Sequence, residues 1–138
     1  VCSDWAKQMA EIKLNLKEPV IEIGNINAIR DFTDVRDAVR AYWLAIQKCK
    51  AAEPYNVCSG KGLAMKDVLK LVLSFSKKKI KIVRCDKKVE RIAIPYTVGS
   101  YAKLRKATGW KPRISFKKTL NDLINYWKKQ LTSSKPIH

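Results

Sequence analysis

Histidine is all but missing from this 138-residue chain: the one copy, His138, is its last residue. A terminal imidazole is a poor metal ligand and a poor proton shuttle. The four cysteines, Cys2, Cys49, Cys58 and Cys85, never approach C-x-x-C spacing, so no zinc site is expected. With 46% hydrophobic residues there is material for a real core, which argues against both disorder and a disulfide framework. Reduced, buried thiols are the expectation for these cysteines. Long apolar runs are absent too: nothing approaches the roughly 18 residues of a membrane span. The opening "VCSDWAKQMAEIKLNL" is amphipathic and charged, unlike a secretory leader. We therefore expect an intracellular, cytoplasmic protein with no membrane contact. The first residue is Val1, which suits a processed product or part of something longer.

Acidic residues are scarce in one half only. Positions 1–76 carry 11 basic and 9 acidic residues, whereas positions 77–138 carry 18 and 3. That asymmetry points to an anionic partner and says nothing about fold. The runs "SKKKIKI", "DKKV", "FKKT" and "WKKQ" supply most of it. No RNA-binding signature accompanies them, and Phe116 and Trp127 fall on an apolar stripe rather than between lysines. General attraction for RNA or another polyanion through residues 77–138 is supported; specific base readout is not.

Periodicity organises what is there. Residues 3–16 read as a helix capped by Ser3, with Trp5, Met9, Ile12 and Leu16 on one face. "EPVIEIG" (18–24) reads as a strand. A helix follows from Thr33 or Asp34, with Asp34 and Asp37 in its first turn suited to capping. Its stripe of Val35, Ala38, Val39, Tyr42, Trp43 and Ile46 is expected to face the core. "PYNVCSG" (54–60) and "IKIVRCD" (80–86) read as strands, with a turn at "GKG" and a helix over "LAMKDVLKLVLSFS" between them. Residues 87–100 read as irregular because of Pro95. "YAKLRKATGW" reads as a short helix closed by Gly109. A last amphipathic helix starts at Ser115, burying Phe116, Leu120, Leu123, Ile124, Trp127 and Leu131. Alternating strands and helices give a small α/β unit, one domain over 1–131 and a tail over 132–138.

Several kinds of chemistry fail on the residues alone. Tyr55–Asp86 mimics a dinucleotide-binding unit, but the third glycine of the fingerprint is Met65, whose side chain obstructs the packing that glycine permits. An ordinary strand–helix–strand turn is the better expectation. There is no Tyr-x-x-x-Lys pair, since Tyr101 is followed by Arg105. No G-x-S-x-G elbow or acid dyad stands out. Arg30, beside Asp31 at the entry to the second helix, is the best candidate ligand group. Its guanidinium could fork onto phosphate oxygens, or it could pair with Asp31 or Asp34.

The order of "SDWAKQMAEIKLNLKEPVIEIGNINAIRDFTDVRDAVRAYWLAI", "YNVCSGKG" and "KLRKATGWKPRISFKKTLNDLINYW" resembles the C-terminal portion of GDP-mannose 4,6-dehydratase and GDP-6-deoxy-4-ketohexose reductase. Both are extended short-chain dehydrogenase/reductases, and the resemblance covers residues 3 to about 129. It implies a nucleotide-sugar-binding part of a lyase or reductase that uses NADP. Cofactor and catalytic residues would lie on a Rossmann domain outside this chain, as a separate chain or segment. It implies that Arg30 contacts the substrate pyrophosphate and that the strand of Val20, Ile21 and Ile23 lies against the base. The family's Arg-Pro-x-Glu/Asp-Val-Pro segment reads "ERIAIP" here: Glu90 stands at the arginine and Ala93 at the acid, with Arg91 one residue away. The family's Gly-Asp pair reads Gly99-Ser100. We expect a GDP-sugar-binding domain, not catalytic as this chain alone. The alternative is a degenerate, basic relative serving as an RNA-binding or structural component of a larger assembly.

Overall fold

Gln8 shows how the first helix is tied to the first strand. It lies on α1 (Cys2–Lys13), its Oε1 accepting the Glu22 backbone N–H at 2.8 Å and its Nε2 donating to the Glu22 carbonyl at 3.1 Å. Its buried amide thus completes the free edge of strand β1 (Val20–Ile23) as a neighbouring strand would. The computed structural model describes residues 1–85 and 94–133. They form five helices and five short strands in one α/β unit, as the alternation implies.

Trp5, Met9 and Ile12 of α1 are buried against Leu120 and Ile124 of the last helix, α5 (Phe116–Ser133). β1 pairs in parallel with β4 (Lys81–Arg84). The antiparallel pair β2 (Ile29–Asp31) and β3 (Gly62–Ala64), with β5 (Tyr96–Thr97) parallel to β2, makes a second sheet. Ile21 and Ile23 meet Met65, Val68, Leu69 and Val72 of α3 (Met65–Leu73) in the main core. The buried stripe expected on α5 is present: Leu120 and Ile124 are buried, and Phe116, Leu123, Trp127 and Leu131 pack against the core. α5 runs two residues past Leu131; residues 134–138 lie outside the described residues. α4 (Ala102–Thr108) ends as expected, with Gly109 at φ 75°, the left-handed region where glycine carries no Cβ penalty.

Other expectations need correcting. α1 starts before Ser3, whose hydroxyl instead accepts the Trp127 indole N–H at 3.0 Å. Leu16 lies beyond the helix end and is exposed. Gly62–Ala64 is strand, where the end of a turn and the start of a helix were expected. A Cβ at Gly62 would come within 2.8 Å of both Ile29 Cγ2 and Val98 Cγ2, so the close pairing of β2 and β3 needs glycine there. Pro95 does not abolish regular structure: its carbonyl accepts the Ile29 N–H at 2.9 Å and leads straight into β5. Only the proline donor is missing, and that position needs none. The expected strand at 54–60 has no ladder partner among the described residues. β4 pairs with β1, so Tyr55–Asp86 is no strand–helix–strand unit, and Asp86 lies outside the described residues.

The largest departure concerns α2 (Val35–Lys48). Its apolar stripe exists but faces outward: Val35 is 70% exposed, Trp43 63% and Ile46 81%, with Val39 and Tyr42 similarly open. The opposite face, with Asp37 and Ala41, is the buried one, forming a second cluster with Leu104 and Trp110. All four cysteines are free thiols, but only Cys58 is buried. No helix among the described residues is long and apolar enough to cross a membrane.

Candidate functional site

Arg30 occupies the middle of the three-stranded sheet, opposite Leu63 on β3 and Thr97 on β5. Strand alternation sends its side chain to the face opposite Ile29 and Asp31. The guanidinium is half-buried, and Nη1 donates to the Ile29 carbonyl at 2.9 Å. The expected rival, pairing with Asp31 or Asp34, is not what these carboxylates do. Asp31 accepts the Ser59 N–H at 2.7 Å, the Ser59 hydroxyl at 2.5 Å, the Gly60 N–H at 2.9 Å and, more weakly, the Gly99 N–H at 3.3 Å. Asp34 caps α2 through the Arg36 N–H at 2.9 Å and takes two bonds from the Arg36 guanidinium at 2.8 and 2.7 Å. Its Oδ2 also accepts the Thr119 hydroxyl at 2.7 Å. Among the described residues, no carboxylate lies within ion-pair distance of Arg30.

The titration of these groups follows from their partners. The Arg36 guanidinium, with the Thr119 hydroxyl, holds Asp34 far below the usual carboxylate range despite burial. Asp37, expected as a capping acid, is instead a buried anchor. Its Oδ2 accepts the Arg113 and Ile114 N–H groups at 2.8 Å each, and its Oδ1 accepts Arg40 at 2.6 Å. Burial pushes the Asp37 pKa up, but these bonds outweigh it and leave the group below its ordinary value. The Trp110 indole donates to the Asp37 carbonyl at 3.0 Å, so the turn after Gly109 is fixed to α2. Burial, then the Asp31 charge, pushes the Cys58 thiol up, so it is a poor nucleophile.

The remaining sequence candidates are placed less favourably. Ile21 and Ile23 point into the main core, and the Glu22 backbone is taken by Gln8. Of the three β1 candidates, only Val20 is half-buried and left to offer a planar ligand. β1 and Arg30 belong to different sheets. Arg91, with Glu90 and Ala93, lies outside the described residues.

A surface cavity of about 610 Å³, which sequence reasoning missed, opens between the loops that Asp31 holds. Gly60, Gly99, Ser100, Tyr101, Arg105 and Lys106 line it. Tyr101 and Arg105 are one helical turn apart, spacing that was visible in the sequence only as a failed Tyr-x-x-x-Lys pair. A few of the basic side chains are engaged locally. Lys103 lies 3.0 Å from Glu53 and over the Tyr55 ring, and Asp122 takes both Lys118 and Arg36.

Comparison with known proteins places the chain in a family. Residues 1–123 match the family model for GDP-mannose 4,6 dehydratase. The chain is 31% identical to GDP-6-deoxy-D-mannose reductase of Pseudomonas aeruginosa, over 95% of this chain and 43% of that protein. It is 26% identical to GDP-mannose 4,6 dehydratase 2 of Arabidopsis thaliana, over 86% of this chain and 32% of the relative. A solved structure of RMD from Pseudomonas aeruginosa, complexed with NADPH, superposes with a TM-score of 0.86 at 32% identity. That match covers 94% of this chain and 42% of the other. The chain thus spans less than half the length of the curated relatives it matches.

Proposed function

The chain belongs to the GDP-mannose 4,6-dehydratase family of nucleotide-sugar-modifying enzymes, and on that premise we propose that it forms the part of such an enzyme that grips a GDP-sugar. Arg30 is the anchor for the pyrophosphate. One observation carries this: a guanidinium held at the centre of a rigid sheet, whose neighbouring carboxylates Asp31 and Asp34 are fully engaged elsewhere. A planar donor whose charge no described carboxylate takes up can fork two bonds onto phosphate oxygens. Val20 is the β1 side chain able to lie against the base, and Arg91 is a second candidate cation. NADP and the proton-transfer residues belong on a companion portion, because this chain offers neither the glycine fingerprint nor a Tyr-x-x-x-Lys pair. Alone, the chain binds and does not turn over substrate.

Calorimetric titration of the chain with GDP-mannose, repeated with Arg30→Ala, tests this. Saturable binding that the substitution abolishes is the expected result. A folded chain that ignores GDP-mannose would remove the ligand role from Arg30.

A further inference from the structure

The cavity beside α4 gathers positive charge that no described contact takes up. At about 100° per residue, Ala102, Arg105 and Lys106 fall within roughly a 100° arc of α4. Leu104 and Thr108 are buried on the opposite side, so this exposed stripe forms one wall of the cavity. Lys103 on the same helix is taken up by Glu53. Neither the Arg105 guanidinium nor the Lys106 ammonium has an ion-pair or hydrogen-bond partner among the described residues.

The rest of the lining is fixed in place. The Tyr101 ring stands edge-on to the buried Trp110, with centroids 5.5 Å apart. A Cβ at Gly60 would lie 3.2 Å from Tyr101 Cε1, so the ring is wedged between an indole and loop backbone. Its hydroxyl has no hydrogen-bond partner among the described residues. None of the described lining residues is an acid. Ser100 stands at the rim and accepts the Ala102 N–H at 3.4 Å. Behind the loops, the Asp31 charge already meets the Ser59, Gly60 and Gly99 N–H groups. Two cations and a phenol on a rigid frame, with no carboxylate among them, suit an oxyanion. The volume of about 610 Å³ falls within the range of small-molecule sites and leaves room for more than a bare anion.

We propose that this cavity binds a small phosphate monoester. Arg105 and Lys106 hold its phosphoryl group, and the Tyr101 hydroxyl donates a hydrogen bond to it. Two adjacent cations match the roughly two negative charges that a monoester carries near neutral pH. A GDP-sugar has no terminal phosphate and is the poorer occupant. The site is separate from Arg30, because Arg30 and Asp31 point to opposite faces of β2. The cavity opens among the loops gathered by Asp31.

The test titrates the ¹⁵N-labelled chain with glycerol 3-phosphate at constant ionic strength, following the backbone amide resonances. Saturable shifts are expected at Gly60 and from Gly99 to Lys106, with none from glycerol. Arg105→Gln combined with Lys106→Gln should weaken binding at least about tenfold. Ala102→Glu, which sets a carboxylate on the same wall, should do the same. All three positions are exposed, so neither variant removes a packed side chain. Lys66→Gln combined with Lys129→Gln removes two exposed charges elsewhere and should leave the affinity unchanged. Shifts that never saturate, or that spread over the lysines of the whole surface, would overturn the proposal in favour of general charge attraction. Saturable shifts that both cavity variants leave unchanged would overturn it too. Arg30→Ala should leave the cavity shifts intact while abolishing GDP-mannose binding, so failure of either reading is distinguishable from failure of the other.

Discussion

The Asp31 carboxylate accepts the Ser59 backbone N–H at 2.7 Å, joining strand β2 to a loop 28 residues away. Its other oxygen faces the Gly60 and Gly99 N–H groups. One acceptor-only side chain therefore organises both loops that wall the cavity, and it does so from the residue next to Arg30. Asp31→Asn preserves the shape but not the chemistry. Whichever way the amide is turned, its NH2 group confronts a backbone donor. We expect a loss of about 2 kcal/mol, read as a lower urea midpoint. An unchanged midpoint would deny Asp31 this organising role.

Asp37 should be still less tolerant. Its carboxylate takes two backbone N–H groups on one oxygen and Arg40 on the other, with the side chain almost wholly buried. In Asp37→Asn the amide either faces the Arg40 guanidinium or faces the Arg113 and Ile114 donors. Breaking a buried pair from one side costs about 3 to 5 kcal/mol. The Arg40 guanidinium also donates to the Lys111 carbonyl at 2.6 Å and lies over the Trp110 ring, so it cannot easily swing out to water. Thermal melting should show a much lower midpoint for Asp37→Asn than for Asp67→Asn, whose Lys70 partner is exposed. Equal midpoints for the two would contradict this.

Acid should unfold the chain through the same groups. Asp34 and Asp37 both bind a proton more weakly folded than unfolded. The unfolded chain therefore takes up more protons as pH falls, and stability drops with it. The contribution is complete above the ordinary carboxylate value of about 4 and is lost as pH falls below it. Denaturation midpoints should accordingly be flat near neutrality and fall on acidification. Asp34→Asn should be less stable at neutral pH and show a shallower acid slope. An equally steep slope in the variant would place the acid sensitivity elsewhere.

How far the sequence could be read is clearest at α2. Its period was plain, and so were the N-cap at Asp34 and the glycine stop after α4. Periodicity identifies an apolar face but cannot say which layer covers it. Here the small residues of the other face, Ala41 with the anchor Asp37, turned inward instead. Residues 54–58 have strand composition, yet a strand is defined by its partner, and none lies among the described residues. Gly62–Ala64 shows the reverse. Its composition continues into a helix, but pairing with β2 overrides local preference. At the site, Arg30 was legible as a cation in an acidic neighbourhood. That both acids are occupied depends on Ser59, Gly60, Arg36 and Thr119, contacts that no spacing in the sequence reveals.

Arg30 itself should separate binding from stability. Its described contact is with the carbonyl of the preceding residue, so Arg30→Ala should shift the unfolding free energy by no more than about 0.5 kcal/mol. The effect belongs on phosphate. GDP-mannose affinity should fall at least about tenfold, equivalent to 1.4 kcal/mol, while guanosine, which has no phosphate for a guanidinium to hold, should bind the intact chain and the variant alike. Arg30→Lys should fall between them, since an ammonium keeps the charge and loses the planar fork. Calorimetry with both ligands on the three proteins distinguishes the causes. A variant that weakens guanosine as much as GDP-mannose would mean that Arg30 shapes the base or ribose contact. Its place between Leu63 and Thr97 would then matter more than its charge.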